Sequence, residues 1–340
     1  MIDPVDEQAR AKAAEQQLQL TKPVGALGRL EELGNQLAAI SGQVPPPSPL
    51  PALVAVFAGD HGVHAQGVTP WPQEITRSMA VTIAKGRAGV SAIARTVGAD
   101  VWITDVGMMS PVDHPAIRQR AIARGTEDFS VEPAMTREQV DAAIAIGRET
   151  AQEAVAAGYR SLATGEVGLA NTTPAAALIS VFTDRSADEV TGRGAGSDDA
   201  MLAHKAQVIA DAIALHGATA DDPMGALAAI GGFEHAALVG LILGGAEQRV
   251  PVVLDGVIAC SAALVACRLD PDAAGYLIAG HAGVEPGITA ALETLGLKPL
   301  VELGLRLGEG TGAALALPLL AAAAAIPNEM ATFADLAQEG

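Results

Sequence analysis

The run Ala52–Ala58, ALVAVFA, is apolar at every position and stops at Gly59, Asp60, His61 and Gly62. A strand with one wet face alternates apolar and polar residues, whereas a strand covered on both faces does not, so this run belongs inside a parallel sheet layered by helices. Its polar tail then falls at the carboxyl end of the strand, where α/β proteins bind their ligands. Shorter runs followed by polar or glycine-rich loops recur at Val101–Val106, Arg160–Thr164, Val252–Leu254 and Tyr276–Ala279, with a sixth candidate at 303–307. The expectation is an α/β protein with a doubly wound, mainly parallel, Rossmann-like sheet whose loops converge on one edge.

Ahead of the first strand, Ala9–Leu20 reads as a helix, and Leu27, Leu30, Leu33, Leu37 and Ile40 carry the spacing of a second. The segment Pro45–Pro51, PPPSPLP, lacks the amide donors to continue a helix or enter a sheet. Residues 1–44 are therefore expected to form a small helical subdomain, sharing part of the C-terminus, beside a large α/β domain over 52–340. Half of the residues are apolar but only 3% are aromatic, so the core has to be built from closely packed Ala, Leu, Val and Ile.

With 21 Lys and Arg against 39 Asp and Glu, the net charge of −18 gives no general attraction to nucleic acid or to an anionic membrane. An anionic substrate has to be met locally. No apolar stretch without Gly, Pro or polar breaks reaches the length of a spanning helix, and the opening MIDPVDEQAR is unlike a signal peptide, so a cytoplasmic protein is expected. Cys260 and Cys267 stand two turns apart on one helix face, too far for a disulfide, and read as buried thiols in a reducing compartment.

The stretch Leu305–Ala314, LRLGEGTGAA, sets a single carboxylate, Glu309, between Gly308 and Gly310 and just ahead of the long apolar run Ala313–Ile326. Glycines on both sides admit close approach to the backbone, and Thr311 is placed to cap the helix that follows. Within that helix Pro318 marks either a kink or the true first turn. An isolated loop glutamate is ordinarily just solvated, but one held at the mouth of a buried helix is partly desolvated, which raises its pKa and makes it a better base.

Two further loops can hold an anion. After the strand at 160–164 come Gly165, Glu166, Val167, Gly168, Leu169, Ala170, Asn171, Thr172, Thr173 and Pro174, a glycine turn leading into a helix N-terminus whose amides and dipole suit phosphate. No GxxxxGK[ST] is present, so this is not a P-loop. The second loop, Thr191–Gly196 with Gly192, Arg193 and Gly194, precedes a helix carrying Lys205, a candidate phosphate partner that by itself would read as a solvated helix lysine. Trp71 can wall an aromatic ligand but is first a packing anchor, Asp60 and His61 first a structural pair, and His281 with Glu285 only half a metal site.

Taken together, the loops resemble a known family. GDHGV at Gly59, GVTPWPQE at Gly67, AMTREQ at Ala134, TGEVGLANTTPAAAL at Thr164, TGRGAGSDD at Thr191, VLDG at Val253, LRLGEGTGAA at Leu305 and the early KPVGALGRLEEL at Lys22 are similar, in order and spacing, to the nicotinate-nucleotide:dimethylbenzimidazole phosphoribosyltransferases of cobalamin lower-ligand synthesis. The chain departs from the family pattern in Ala170, where a glycine usually precedes the Asn, and in HAGVEPG at His281, which lacks an Arg-Ser after the His. The resemblance implies transfer of 5-phosphoribose from nicotinate mononucleotide to 5,6-dimethylbenzimidazole, with Glu309 as catalytic base, no cofactor and no metal. It further implies that Glu166, Gly168, Asn171, Thr172, Thr173, Gly192, Arg193, Gly194 and Lys205 surround the ribose phosphate. Gln73 would line the base pocket, Gly308, Gly310, Thr311 and Gly312 would frame the base, and the protein would be a homodimer. The competing readings are a metal-dependent hydrolase using Asp60, His61, Asp255 and His281, and a nucleotide-binding protein without catalysis.

Overall fold

The structure, a computed structural model, describes residues 2–339. Its centre is a sheet of six parallel strands, β1 (Ala52–Gly59), β2 (Ala99–Gly107), β3 (Ile117–Gln119), β4 (Ser161–Val167), β5 (Val252–Leu254) and β6 (Leu277–Ala279), in the order β3-β2-β1-β4-β5-β6. Every residue of β1 is buried, as its unbroken apolar run requires, with Ala52 level with Ala99 on one side and Ser161 on the other. The strand order reverses direction between β1 and β4, and in such sheets the crevice at the carboxyl ends of the reversing strands receives the ligand.

The sixth strand is not the one expected. Residues 303–307 are irregular, with Leu303 and Leu307 exposed, and only Val301 just before them bridges to His281. Gly304 and Gly308 both have positive φ, 66° and 79°, which turns the chain off the sheet edge. The sheet is completed at its other edge by β3, a three-residue strand beside β2.

Helices cover both faces. In chain order they are α1 (Glu7–Gln17), α2 (Arg29–Ser41), α3 (Glu74–Ala84), α4 (Gly89–Val97), α5 (Arg137–Ala156), α6 (Thr172–Thr183), α7 (Ala187–Val190) and α8 (Asp199–His216). There follow α9 (Pro223–Ile230), α10 (Phe233–Glu247), α11 (Val257–Leu269), α12 (Pro286–Leu295), α13 (Thr311–Glu329) and α14 (Phe333–Glu339). The capping box legible at Thr136 and Gln139 starts α5, with Thr136 Oγ1 accepting the Gln139 amide at 3.2 Å and Gln139 Oε1 the Thr136 amide at 2.8 Å. The near-absence of aromatics shows in how α5 meets α10: a Cβ on Gly147 would collide with the Ala237 carbonyl and one on Gly240 with the Ile144 carbonyl, so the two backbones touch.

The N-terminal helices lie against α13, where Gly34 leaves room for the Ala323 carbonyl, 2.9 Å from where a Cβ would be. Leu20 pairs antiparallel with Thr332, and Phe333 donates its amide to Gln19 at 2.9 Å. The proline-rich segment is docked along the amino end of β4: Pro51 accepts the Arg160 amide at 2.8 Å and Pro49 the Ser161 hydroxyl at 2.7 Å. Helix α13 is long and apolar enough, by length and composition, to cross a membrane, although Gly312, Pro318 and Pro327 interrupt its apolar run. Here Ala313, Leu317, Leu320 and Ala324 are buried in the core. It begins at Thr311 and runs through Pro318, which lies on the exposed face, so Pro318 is not its first turn.

Candidate active site

The turn ahead of α13 consists of three consecutive residues in the left-handed region, Gly308 (φ 79°), Glu309 (φ 62°) and Gly310 (φ 92°). Glycine adopts this conformation freely; glutamate pays roughly 1 kcal/mol for it, so the surroundings have to impose it. Asp255, at the end of β5, does so: its carboxylate accepts the amides of Gly310 (3.2 Å), Gly312 (2.7 Å) and Ala313 (3.1 Å). The cap of α13 is therefore a carboxylate from another strand. Thr311, expected to cap it, instead donates its hydroxyl to the Gly308 carbonyl at 2.8 Å.

The Glu309 side chain is buried, 4% exposed, and its Oε2 accepts the amide of Val90 at 3.1 Å in the first turn of α4. Burial raises its pKa, the Val90 amide opposes the rise, the charge of Asp255 adds to it, and the Gly89 amide opposes it; the balance is upward. This agrees with a carboxylate tuned toward base strength.

Glu166, at the end of β4, faces the same turn, and Gly308 is glycine because a Cβ there would strike Glu166 Oε1. Burial first and then the charge of Asp255 lift its pKa to about 8, against the Asn171 side-chain amide that donates to it. Glu166 therefore carries a proton at neutral pH. On α8, Lys205 is buried rather than solvated; its Nζ donates to Thr172 Oγ1 at 2.6 Å and to the Gly192 carbonyl at 3.3 Å. Burial lowers its pKa to about 8 and the nearby Glu285 opposes the fall. Glu285 Oε1 accepts the Gly194 amide at 2.9 Å, so in this structure a carboxylate takes the donor that the sequence offers to phosphate.

Between these groups lies a cavity of ≈ 270 Å³ at the carboxyl ends of the strands, lined among others by Glu166, Gly168, Asn171, Thr172, Gly194, Gly308 and Glu309. Acid, protonated acid, amide turns and a buried lysine around one cavity are the parts needed to hold a phosphorylated sugar beside a base.

Comparison with known proteins identifies the fold and the family together. A family model described as "Phosphoribosyltransferase" matches residues 2–337. The chain is 54% identical over 347 residues to the nicotinate-nucleotide–dimethylbenzimidazole phosphoribosyltransferase of Salinispora tropica, covering 98% of this chain and 95% of that protein. It is 48% identical to the enzyme of the same name from Chloroflexus aggregans, again over 98% and 95%. The crystal structure of CobT from Thermus thermophilus superposes with a TM-score of 0.93 at 41% identity, over 97% of this chain and 98% of that one. The chain belongs to this phosphoribosyltransferase family.

Not every expected residue of the phosphoribosyltransferase reaches the cavity. Thr173, Gly310, Thr311, Gly312 and Lys205 lie outside its lining: Thr173 is buried, Lys205 donates to Thr172, Thr311 donates to the Gly308 carbonyl and the Gly312 amide donates to Asp255. The Gly310 amide likewise donates a hydrogen bond to the Asp255 carboxylate. Gly192 lines a neighbouring groove, as does Arg193, whose guanidinium turns to the Ser197 carbonyl at 2.9 Å and to Asp199. Gln73 is not at the cavity; its side chain donates to the His61 carbonyl at 3.2 Å, and Ile75 and Met79 on α3 line the wall instead. Ile75 and Met79 are four residues apart and share one face of α3, a face that Gln73, two residues before Ile75, does not belong to, so the helical spacing of these apolar residues is the signal that could have found them.

Trp71 is half exposed, and its Nε1 donates to the Ala195 carbonyl at 2.9 Å. With Ile75, Leu169, Leu305 and Leu307 it lines an apolar groove beside the cavity. Arg306, which lies inside the quoted LRLGEGTGAA, was not singled out, yet it borders both the cavity and the adjoining groove. The four residues of the hydrolase reading do not converge on one donor set. His61 bonds Glu234 at 2.6 Å, Asp60 accepts the Met109 amide at 2.9 Å, and Asp255 caps α13 with His281 Nε2 3.5 Å away.

Proposed function

We propose that the protein transfers 5-phosphoribose from nicotinate mononucleotide to 5,6-dimethylbenzimidazole, giving α-ribazole 5′-phosphate and nicotinate for the cobalamin nucleotide loop. The names of its relatives supply the reaction, and the observation that carries it onto this chain is Glu309, a buried carboxylate of raised pKa lining the cavity. The unprotonated ring nitrogen of the azole attacks C1′ as the bond to the pyridinium nitrogen breaks, and that electron pair leaves with nicotinate. The proton on the other azole nitrogen passes to Glu309, a step worth ~10² to 10⁴ in rate. The departing pyridinium becomes neutral, so the leaving group requires no acid.

In this reading Glu166, protonated, gives a hydrogen bond to the sugar, and the nearby Asp255 and Glu309 carboxylates favour the positive charge that develops at C1′. The amides of the Gly168–Thr173 turn take the phosphate, with Lys205 behind Thr172 supplying the cation. The Glu285 carboxylate withdraws from Gly194 when the phosphate arrives. Attack opposite the leaving group inverts the β linkage to α.

The test is nicotinate release with each substrate alone and with both. Release that needs both and survives chelator in the assay supports the reading. Product release from nicotinate mononucleotide alone that is lost to chelator would favour the hydrolase, and nucleotide binding with no release a non-catalytic binder. The reading includes a cytoplasmic homodimer; light scattering at the mass of one 34.3 kDa chain would remove the dimer.

A further inference from the structure

One group of buried donors serves none of the chemistry above. His61, just past β1, and Glu234 and His235, in the first turn of α10, are wholly buried, and one ligand atom from each lies within 4.8 Å of the others. They sit in a pocket walled by glycines: a Cβ on Gly59 would come within 2.6 Å of Glu234 Oε2, and one on Gly232 within 2.9 Å of His235 Nδ1. The group is only partly satisfied by hydrogen bonding. His61 Nε2 and Glu234 Oε1 share one bond of 2.6 Å, while His61 Nδ1, Glu234 Oε2 and both ring nitrogens of His235 have no partner. His235 Nδ1 is 3.3 Å from Glu234 Oε1 but lacks a hydrogen bond's geometry.

A buried imidazole with neither nitrogen bonded is rare, because its desolvation is uncompensated. A lone core histidine beside apolar neighbours would be unremarkable; this one faces a carboxylate and a second imidazole. Among the described residues, it is the one such set of three or more donors so close together.

We propose that His61, Glu234 and His235 bind one divalent transition-metal ion of the zinc type, as a structural site apart from the reacting centre. Two imidazoles and a carboxylate suit zinc or cobalt, whereas magnesium and calcium select oxygen donors. Four-coordinate zinc with bonds of about 2.1 Å holds its ligands about 3.4 Å apart, so the 2.6 Å pair opens slightly and the wider separations close. The ion replaces the proton shared by His61 and Glu234, which leaves to solvent, and water completes the coordination. Its effect on the enzyme is to tie α10 to the end of β1 beneath Gly168, whose missing Cβ would be 3.4 Å from Glu234 Oε1 and which lines the cavity. This inference stands independently of the reaction proposed above.

The test uses the full chain, stripped of metal and titrated with Co²⁺ and Zn²⁺, with visible absorption, bound stoichiometry and melting temperature as readouts. The expected result is one equivalent bound, an absorption spectrum of four- or five-coordinate cobalt and a higher melting temperature. In His235→Leu, which fills the same core space without a ligand, and in His61→Gln, binding should weaken by more than about tenfold, the least that losing even a ligand's orienting partner costs. His114→Ala, away from the cluster, serves as control and should bind as the parent does. Less than about a tenth of an equivalent in the parent overturns the proposal, because a structural site binds its ion stoichiometrically. Binding unchanged in a folded His235→Leu or His61→Gln chain overturns it equally.

Discussion

Asp255 grips the peptide bond that follows Glu309: its Oδ2 accepts the Gly310 amide at 3.2 Å while its Oδ1 takes Gly312 at 2.7 Å and Ala313 at 3.1 Å. One acid thus satisfies the positive end of α13 and holds the other acid in a backbone conformation it would not choose. The same charge helps to raise the pKa of Glu309, so position and base strength are set by one residue.

Asp255→Ala should therefore act on stability and catalysis together. Three buried amides lose their acceptor, a loss of about 2–4 kcal/mol by cap and hydrogen-bond magnitudes. Urea unfolding measures the first effect. Turnover under conditions where the variant is still folded measures the second, and an unchanged turnover number would separate Asp255 from Glu309.

Glu309→Gln keeps the size and the Val90 contact but removes the base. Turnover should fall by ~10² to 10⁴ with nucleotide affinity within a few-fold of the parent. Calorimetric titration with nicotinate mononucleotide, run beside the release assay, distinguishes this from a collapsed site.

Lys205→Ala should mainly weaken nucleotide binding, seen as a raised KM for nicotinate mononucleotide with a smaller change in kcat. Its Nζ reaches Thr172 and Gly192, which belong to the two glycine loops, and not the base. Unchanged KM would take Lys205 out of the phosphate site.

Glu166 gives the protein a pH dependence with a definite sign. Its pKa rises from 4.5 to about 8 on folding, so the folded state holds a proton that the unfolded state has released in this window. The stability it contributes is fully present below pH 4.5 and is lost as the pH rises through about 8, at no more than about 1.4 kcal/mol per pH unit. Glu166→Gln should flatten that slope in unfolding curves taken from pH 5 to 8, and a slope that persists would assign it to another group.

Ala170 sits at φ 72° in the turn before α6, where a side chain is strained. Ala170→Gly should stabilise the fold by up to about 1 kcal/mol, read as a higher melting temperature, with nucleotide KM little changed. A lower melting temperature would show that the lost methyl contact outweighs the strain.

The sequence by itself determined the sheet's central strand, the carboxyl-end loops and the acid between two glycines, because these depend on local patterns: unbroken apolar runs, glycine turns and capping residues each report on a few neighbouring positions. Ala52–Gly59 and Thr136–Gln139 formed as their residues required, and Glu309 is buried, as its place at the mouth of an apolar helix suggested. Only the tertiary structure decided which distant group satisfies which. That Asp255 and not Thr311 caps α13, that Glu285 occupies the Gly194 amide, that Lys205 is buried and Gln73 turned aside all depend on contacts between residues far apart in the chain. The edge strand moved from 303–307 to Ile117–Gln119 for the same reason, since a three-residue strand is specified by the neighbour it pairs with more than by its own side chains.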